Sequence, residues 1–191
     1  MRNLVLFMHT SLDGFVAGPN GEMDWINIDD TMFDFAANQT DQSDTALYGR
    51  VTFEMMQSYW PTAGDQPRAT KHDKQHSRWY NNVAKVILSR TMQAEKLTNT
   101  TIIGENLYNE IIKLKNLPGK DIIIFGSPTA AHSLMQENLI DDFWLFVNPV
   151  LLARGIPLFK GINDKIKLKL VFAKALQSGV VCMHYERTTG D

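Results

Sequence analysis

The sequence is poor in the features that mark secreted, membrane-spanning or metal-clustered proteins. It holds one cysteine, Cys182, in 191 residues. A single thiol excludes an intrachain disulfide and a cysteine-based zinc cluster. Cys182 stands in the run Val180-Val181-Cys182-Met183, where a small buried apolar side chain is the expected role. The longest uninterrupted apolar runs, Leu4 to Met8 and Phe143 to Val147, have five residues, against the roughly 20 of a spanning helix. Neither sign of charge dominates: 19 basic and 21 acidic side chains leave a net charge of −2, without the basic excess of a nucleic-acid binder. Met1-Arg2-Asn3 leads straight into a strand-like run without a signal peptide's apolar core and cleavage site, so the expected compartment is the cytoplasm. The glycine fingerprint of a Rossmann domain and a deaminase zinc signature are also missing. No repeat or Pro/Gly/Ser linker divides the chain, and a single domain over residues 1–191 is expected.

What is present reads as alternating strands and helices. Leu4 to Met8 has the pattern of a strand buried on both faces. Gly18-Pro19-Asn20-Gly21 forces a turn, and about Asp29 to Ala37 suits a helix capped by Asp29 or Asp30. Ala46-Leu47-Tyr48 is a short strand, followed by a helix from about Val51 to Tyr59 that Pro61 is expected to stop. Residues 62–78 are polar and read as an exposed loop with a short helix. Strands follow at Lys85–Leu88 and Thr101–Ile103, a helix at Glu105–Lys115, a buried strand at Ile122–Phe125, a helix over 129–138 and a strand at Phe143–Val147. Lys165 to Leu170 alternates and predicts a strand with one wet face, paired with Val180 to Glu186. This is an α/β fold with a mostly parallel sheet and an antiparallel C-terminal edge.

Open α/β sheets bind ligands at the carboxyl ends of their strands. The residues following the strands are Ser11-Leu12-Asp13-Gly14, Gly49-Arg50-Val51-Thr52, Ser89-Arg90-Thr91 and Gly126-Ser127-Pro128-Thr129. Glycine, hydroxyl and guanidinium groups where helices begin make an inventory for binding anions. Each junction alone is also ordinary punctuation at a strand end; the joint pattern carries the reading. His72 and His76 share a helical spacing but have no third ligand nearby, so no metal site is assigned. His9 lies near the first strand's end, beside the loop that follows it, and Trp60 and Trp79 are read as anchors of the polar segment.

The order Ser11-Leu12-Asp13-Gly14, Trp25, Gly49-Arg50-x-Thr52, Leu88-Ser89-Arg90 and Gly126-Ser127 resembles the dihydrofolate reductase superfamily. With the late run Asn148 to Phe159, it is most similar to the branch containing the riboflavin-pathway reductase domain and its stand-alone relatives. The resemblance covers about residues 3–187. It implies a helix–sheet–helix sandwich and an NADPH-dependent reductase of a small heterocyclic, pyrimidine- or pterin-like, or related C=N or C=O substrate. By the same resemblance, Gly49, Arg50 and Thr52 hold cofactor phosphates, and Ser89 and Arg90 take the 2′-phosphate. Gly126, Ser127, Pro128 and Thr129 cradle the pyrophosphate. Asp13, Gly14, Val16 and Ala17 belong to a mobile loop closing over the nicotinamide, with Trp25 on the substrate side and Asp30 as the candidate catalytic carboxylate. Phe125 stands where the riboflavin-pathway reductases generally carry a glutamate. A homodimer is implied as well. The alternative is a nucleotide- or pterin-binding relative of the same fold without turnover.

Overall fold

Period-two alternation in two short apolar runs sets the architecture. In β1 (Leu4–Ser11), Leu4, Leu6 and Met8 enter one apolar cluster while Val5 and Phe7 enter another. β6 (Asp121–Phe125) divides in the same way, Ile122 and Ile124 from Ile123 and Phe125. A strand that is apolar on both faces must be covered on both, and parallel strands between helix layers meet that demand. The computed structural model describes residues 1–93 and 97–188. Its other strands are β2 (Phe15–Ala17), β3 (Ser43–Gly49), β4 (Ala84–Leu88), β5 (Thr100–Ile103), β7 (Asp142–Asn148), β8 (Ile156–Pro157), β9 (Leu168–Ala175) and β10 (Val181–Arg187). Eight form one sheet in the order β5-β4-β3-β6-β1-β7-β10-β9, and β2 and β8 form a separate pair. All neighbours from β5 to β7 are parallel, whereas β10 runs antiparallel to both β7 and β9.

Helices α1 (Asp30–Gln42), α2 (Arg50–Ala63) and α3 (Lys71–Asn82) cover the Val5 and Phe7 face through Met32, Ala36, Phe53 and Tyr80. Helices α4 (Leu107–Asn116) and α5 (Pro128–Gln136) cover the other through Ile111, Ala131 and Leu134. One polar knot lies inside this frame. The Lys115 ammonium, 2% exposed, donates to Asp141 at 2.5 Å, and Arg187 donates to the other oxygen of that carboxylate at 3.2 Å. No helix among the described residues is long and apolar enough to cross a membrane.

Four elements depart from the expectation. α1 is capped by Asp29 as anticipated, but it runs on to Gln42 because Gln39 and Thr40 are buried against the sheet. α2 passes through Pro61, which had been expected to end it. Packing carries it: Ala63 is buried and the Asn81 amide donates to the Pro61 carbonyl at 3.1 Å. The polar segment is a full helix, α3, opened by a reciprocal capping box between Thr70 and Asp73. It buries His76, Ser77 and Tyr80 on one side. β9 begins at Leu168, not Lys165, because its partner β10 ends opposite Leu168 at Arg187. Every residue of β9 except Phe172 is exposed, so the strand is wet on both faces rather than one.

Candidate functional site

The chain leaves β3 through α2 onto one face of the sheet and leaves β6 through α5 onto the other. The adjacent C-terminal ends of β3 and β6 therefore flank a switch-point crevice, where open α/β sheets place their ligands. Gly49 caps α2 and Ser127 caps α5, and neither helix start has a side-chain hydrogen bond. Helix first turns carry N–H groups without partners in the helix itself, together with partial positive charge. Ser127 ties the two starts together, its Oγ accepting from the Gly49 N–H at 3.0 Å. Gly126 and Ser127 both lie in the left-handed region, at φ 64° and 60°. That conformation is free for glycine and costs serine about 1–2 kcal/mol, which the bridge to Gly49 partly offsets. Thr52 completes the crevice: its Cγ2 lies 3.6 Å from where a Cβ on Gly126 would stand.

The two arginines differ in state. Gly49 and Leu88 are register partners, so Ser89 and Arg90 emerge beside the start of α2. Ser89 Oγ accepts from the N–H groups of Met92 (3.1 Å) and Thr91 (3.3 Å), shaping the turn. Arg90 is exposed and makes no hydrogen bond or ion pair among the described residues. Arg50 is instead paired with Glu54 one turn along α2, at 2.9 and 3.1 Å. Both partners are about half-exposed, and such a pair is worth at most about 1 kcal/mol, little to give up for a phosphate.

Beyond β1 the expected mobile loop is in part fixed. Its first strand, β2, pairs with β8. Val16 and Ala17 are buried, and Gly155 packs so closely that a Cβ there would stand 2.2 Å from the Ala17 carbonyl oxygen. Asp13 locks the two loops: its carboxylate accepts from Ser11 Oγ (2.6 Å), Leu152 N (3.1 Å) and Ala153 N (2.8 Å). The hydroxyl of Ser11, helped by the two backbone donors, holds its pKa below the usual carboxylate range against the opposing effect of desolvation. Asp13 and Gly14 thus shape the loop, Gly14 turning at φ 85°. Trp25 donates to the Glu22 carbonyl at 3.0 Å and, with Leu152 and Arg154, lines a cavity of about 310 Å³. Asp30 is exposed in the first turn of α1. Asp29 beside it spends both oxygens, accepting from Met32 N at 2.9 Å and Ser178 N at 3.1 Å.

Beside the crevice lies an aromatic cluster, of which the sequence had singled out His9 and Phe125 but not Phe7 or Phe146. His9, Phe7, Phe125 and Phe146 share one face of the sheet near its C-terminal edge. Phe125 meets Phe7, His76 and Trp79 edge-on, with ring centres 5.1, 5.5 and 5.7 Å away. Burial lowers the pKa of His9 to about 4 and that of His76 to about 3, so both are neutral at pH 7. Asn148, wholly buried at the end of β7, accepts from Asn27 N at 2.8 Å and donates to the Phe146 and Thr10 carbonyls. It fastens the segment before α1 to the ends of β1 and β7. A larger cavity of about 960 Å³, lined by Asp41, Ser43, Lys74, Arg78 and Trp79, opens at the other end of the sheet, where β3 begins. The topology places ligands at the opposite edge.

Fold and crevice together define the dihydrofolate reductase class of α/β proteins. Within it, the chain belongs to the RibD C-terminal domain family, whose model matches residues 2–182. It is 36% identical over 186 residues to YyaP of Bacillus subtilis (strain 168), an uncharacterized protein, covering 96% of this chain and 94% of that one. Among solved structures it resembles the Thermotoga maritima diaminohydroxyphosphoribosylaminopyrimidine deaminase/5-amino-6-(5-phosphoribosylamino)uracil reductase. The TM-score is 0.67 at 13% identity, over 98% of this chain and 57% of that one. It also resembles the Enterococcus faecalis dihydrofolate reductase, complexed with NADP(H), at TM-score 0.63 and 15% identity over 98% and 97% of the two chains. The family is that of riboflavin-pathway reductase-like domains.

Proposed function

We propose that this protein is an NADPH-dependent reductase that delivers hydride to a small planar heterocycle, or to a related C=N or C=O compound. The observation that carries the reading is the crevice at the β3/β6 switch point, where two helix starts without side-chain caps are bridged by Ser127 and Gly49. The first turns of α2 and α5 supply N–H donors for a pyrophosphate, and Gly126 permits its close approach. Ser89 and the free guanidinium of Arg90 supply the hydroxyl and charge for a 2′-phosphate. Arg50 reaches the same region by exchanging Glu54 for phosphate oxygen. Bound NADPH supplies the hydride from its nicotinamide ring. The β2/β8 pair, whose Val16 and Ala17 are buried, would wall the nicotinamide from water, and Asp13 keeps that wall closed. His9 stays uncharged there and offers a hydrogen bond rather than a fixed charge. The contribution of these residues is positioning and exclusion of water.

A second reading, a nucleotide- or pterin-binding relative without turnover, draws on Phe125. An apolar ring in a cluster with Phe7, His76 and Trp79 stands where the riboflavin-pathway reductases read a pyrimidine with a carboxylate. NADPH absorbance followed against pterins, pyrimidines and small carbonyl compounds separates the two. Calorimetry tests the cofactor half: Arg90→Ala should lose about 1.5–3 kcal/mol, roughly ten- to a hundredfold, in NADPH affinity. NADH binding should hardly change. Equal losses for both cofactors, or no loss for either, defeat the assignment, and NADPH binding with no oxidation across the panel favours the second reading.

A further inference from the structure

The cofactor edge leaves one chemically distinctive group of side chains unused, at the opposite end of the sheet. Asp142 opens β7, and Glu186 of β10 is its direct register partner. His184, two residues earlier on β10, projects from the same face, opposite Trp144. A ligand atom from each of the three lies within 4.8 Å of the other two, and among the described residues no other group of three His, Cys, Asp or Glu side chains does so. We propose that Asp142, His184 and Glu186 bind a divalent transition-metal ion of the zinc type, one per chain.

The charge around the group points the same way. Asp142 is buried, and among the described residues its carboxylate takes one hydrogen bond, with His184 Nε2 at Oδ1, 2.7 Å. The cations that could have neutralised it are committed elsewhere. Arg187 donates to the Ile140 carbonyl and Asp141, and Lys115 donates to the Leu139 carbonyl and Asp141. Lys169 faces Glu186 in register across β9 but makes no ion pair with it among the described residues. The buried Asp142 carboxylate therefore lies between an imidazole and a second carboxylate, and a buried carboxylate is costly without a cationic partner. An ion with two positive charges balances the pair.

Geometry and ligand type suit zinc. One imidazole nitrogen and two carboxylate oxygens are ordinary zinc donors, with bonds of about 2.0–2.2 Å, leaving a fourth position for water. Glu186 is exposed and gives the ion an entry path. The His184 ring is stacked on Trp144, centroids 4.3 Å apart and planes 13° apart, which holds its Nε2 edge toward Asp142. Coordination uses the Nε2 lone pair, so the bound form is the tautomer with its proton on Nδ1, and the contact to Asp142 opens into a metal bridge. β7 rises about 20 Å from Asp142 to Asn148, so the ion is remote from the cofactor crevice and its role is to clasp β7 to β10.

The experiment is a titration of the full chain, stripped with chelator and desalted, with Zn²⁺ by calorimetry and with Co²⁺ by its visible absorption. One ion per chain is expected, with a metal-dependent rise in Tm. Asp142→Asn and His184→Gln should each weaken binding about tenfold or more and remove the rise in Tm. Glu186→Gln, at an exposed position that cannot disturb folding greatly, should also weaken binding, while His72→Gln at the rival His72/His76 pair should not. No saturable binding, or binding unchanged in both His184→Gln and Glu186→Gln, overturns the proposal. So does loss of binding in His72→Gln.

Discussion

Acid should weaken the fold well before its carboxylates protonate, and the desolvated histidines His76 and His9 are the reason. The His76 side chain lies under Trp60, Trp79 and Phe125, with ring centres 4.0, 5.1 and 5.5 Å away, and it makes no hydrogen bond among the described residues. Desolvation, then the neighbouring His72, depress its pKa from 6.5 to about 3, against a small opposing pull from Asp73. The unfolded chain takes up a proton near pH 6.5 and the folded chain refuses it until about 3. Stability from this group is therefore complete above pH 6.5 and declines as pH falls below it, by up to about 1.4 kcal/mol per unit, levelling near pH 3. Between pH 7 and 5 the loss comes to about 2 kcal/mol. His9, lowered to about 4, adds a loss of the same sign. The depressed carboxylates of Asp13, Glu22, Asp29 and Asp73 lose their contributions only at lower pH, so the window from 5 to 7 belongs to the histidines. Urea unfolding at pH 7 and 5 measures the loss in the native chain and in His76→Phe, which keeps a ring in the aromatic cluster and removes the titration. The variant should lose about 2 kcal/mol less between the two pH values. An unchanged loss would refute the reasoning, whatever the variant's stability at pH 7.

Lys115→Met should cost about 3–5 kcal/mol in urea unfolding, because it leaves the Asp141 carboxylate with Arg187 and the Leu4 N–H as its remaining partners; a loss under about 1 kcal/mol would show the pair to be worth no more than a surface one. We propose that a second copy of the chain covers β9, where Leu168, Leu170 and Val171 are 38, 50 and 47% exposed at the sheet edge. Light scattering should give a dimer that Leu170→Lys converts to a monomer, and a monomeric native chain at micromolar concentration removes this proposal.

The frame of the molecule was legible because its strongest signals are local. Leu4–Met8 and Ile122–Phe125 carry two-faced burial in four or five consecutive residues, and both became central strands. The aromatic run Phe143 to Phe146 gives no outward surface, because β7 is an interior strand and both of those rings are buried within the chain. α3 was obscured by its polarity: only His76, Ser77 and Tyr80 are buried, and each can pass for a surface residue. The available signal was the Thr70-to-Asp73 capping box. β2 and β8, three and two residues long, lie below the reach of any periodicity. At the site, the glycine and hydroxyl junctions were legible one by one. The bridge that unites Gly49 with Ser127 spans 78 positions, and the contact between Asp142 and His184 spans 42, so neither leaves a local trace.

The two faces of the sheet differ in chemistry at the edge that holds the crevice. On the α4 and α5 side the core is largely aliphatic, and the crevice itself takes backbone donors, glycine and hydroxyls from the starts of both α2 and α5. On the α1 to α3 side the same edge is built from Phe7, Phe125, Phe146, His76 and Trp79. Rings and uncharged imidazoles recognise a flat, weakly polar molecule by area and dispersion. A phosphorylated sugar would need lysine or arginine there, and a carboxylate reader would need the position that Phe125 fills. Substituting Phe125 with glutamate would bury a charge among three aromatic rings. Under the proposed reading, the ligand that suits this face is a flat one, less polar than a phosphorylated sugar.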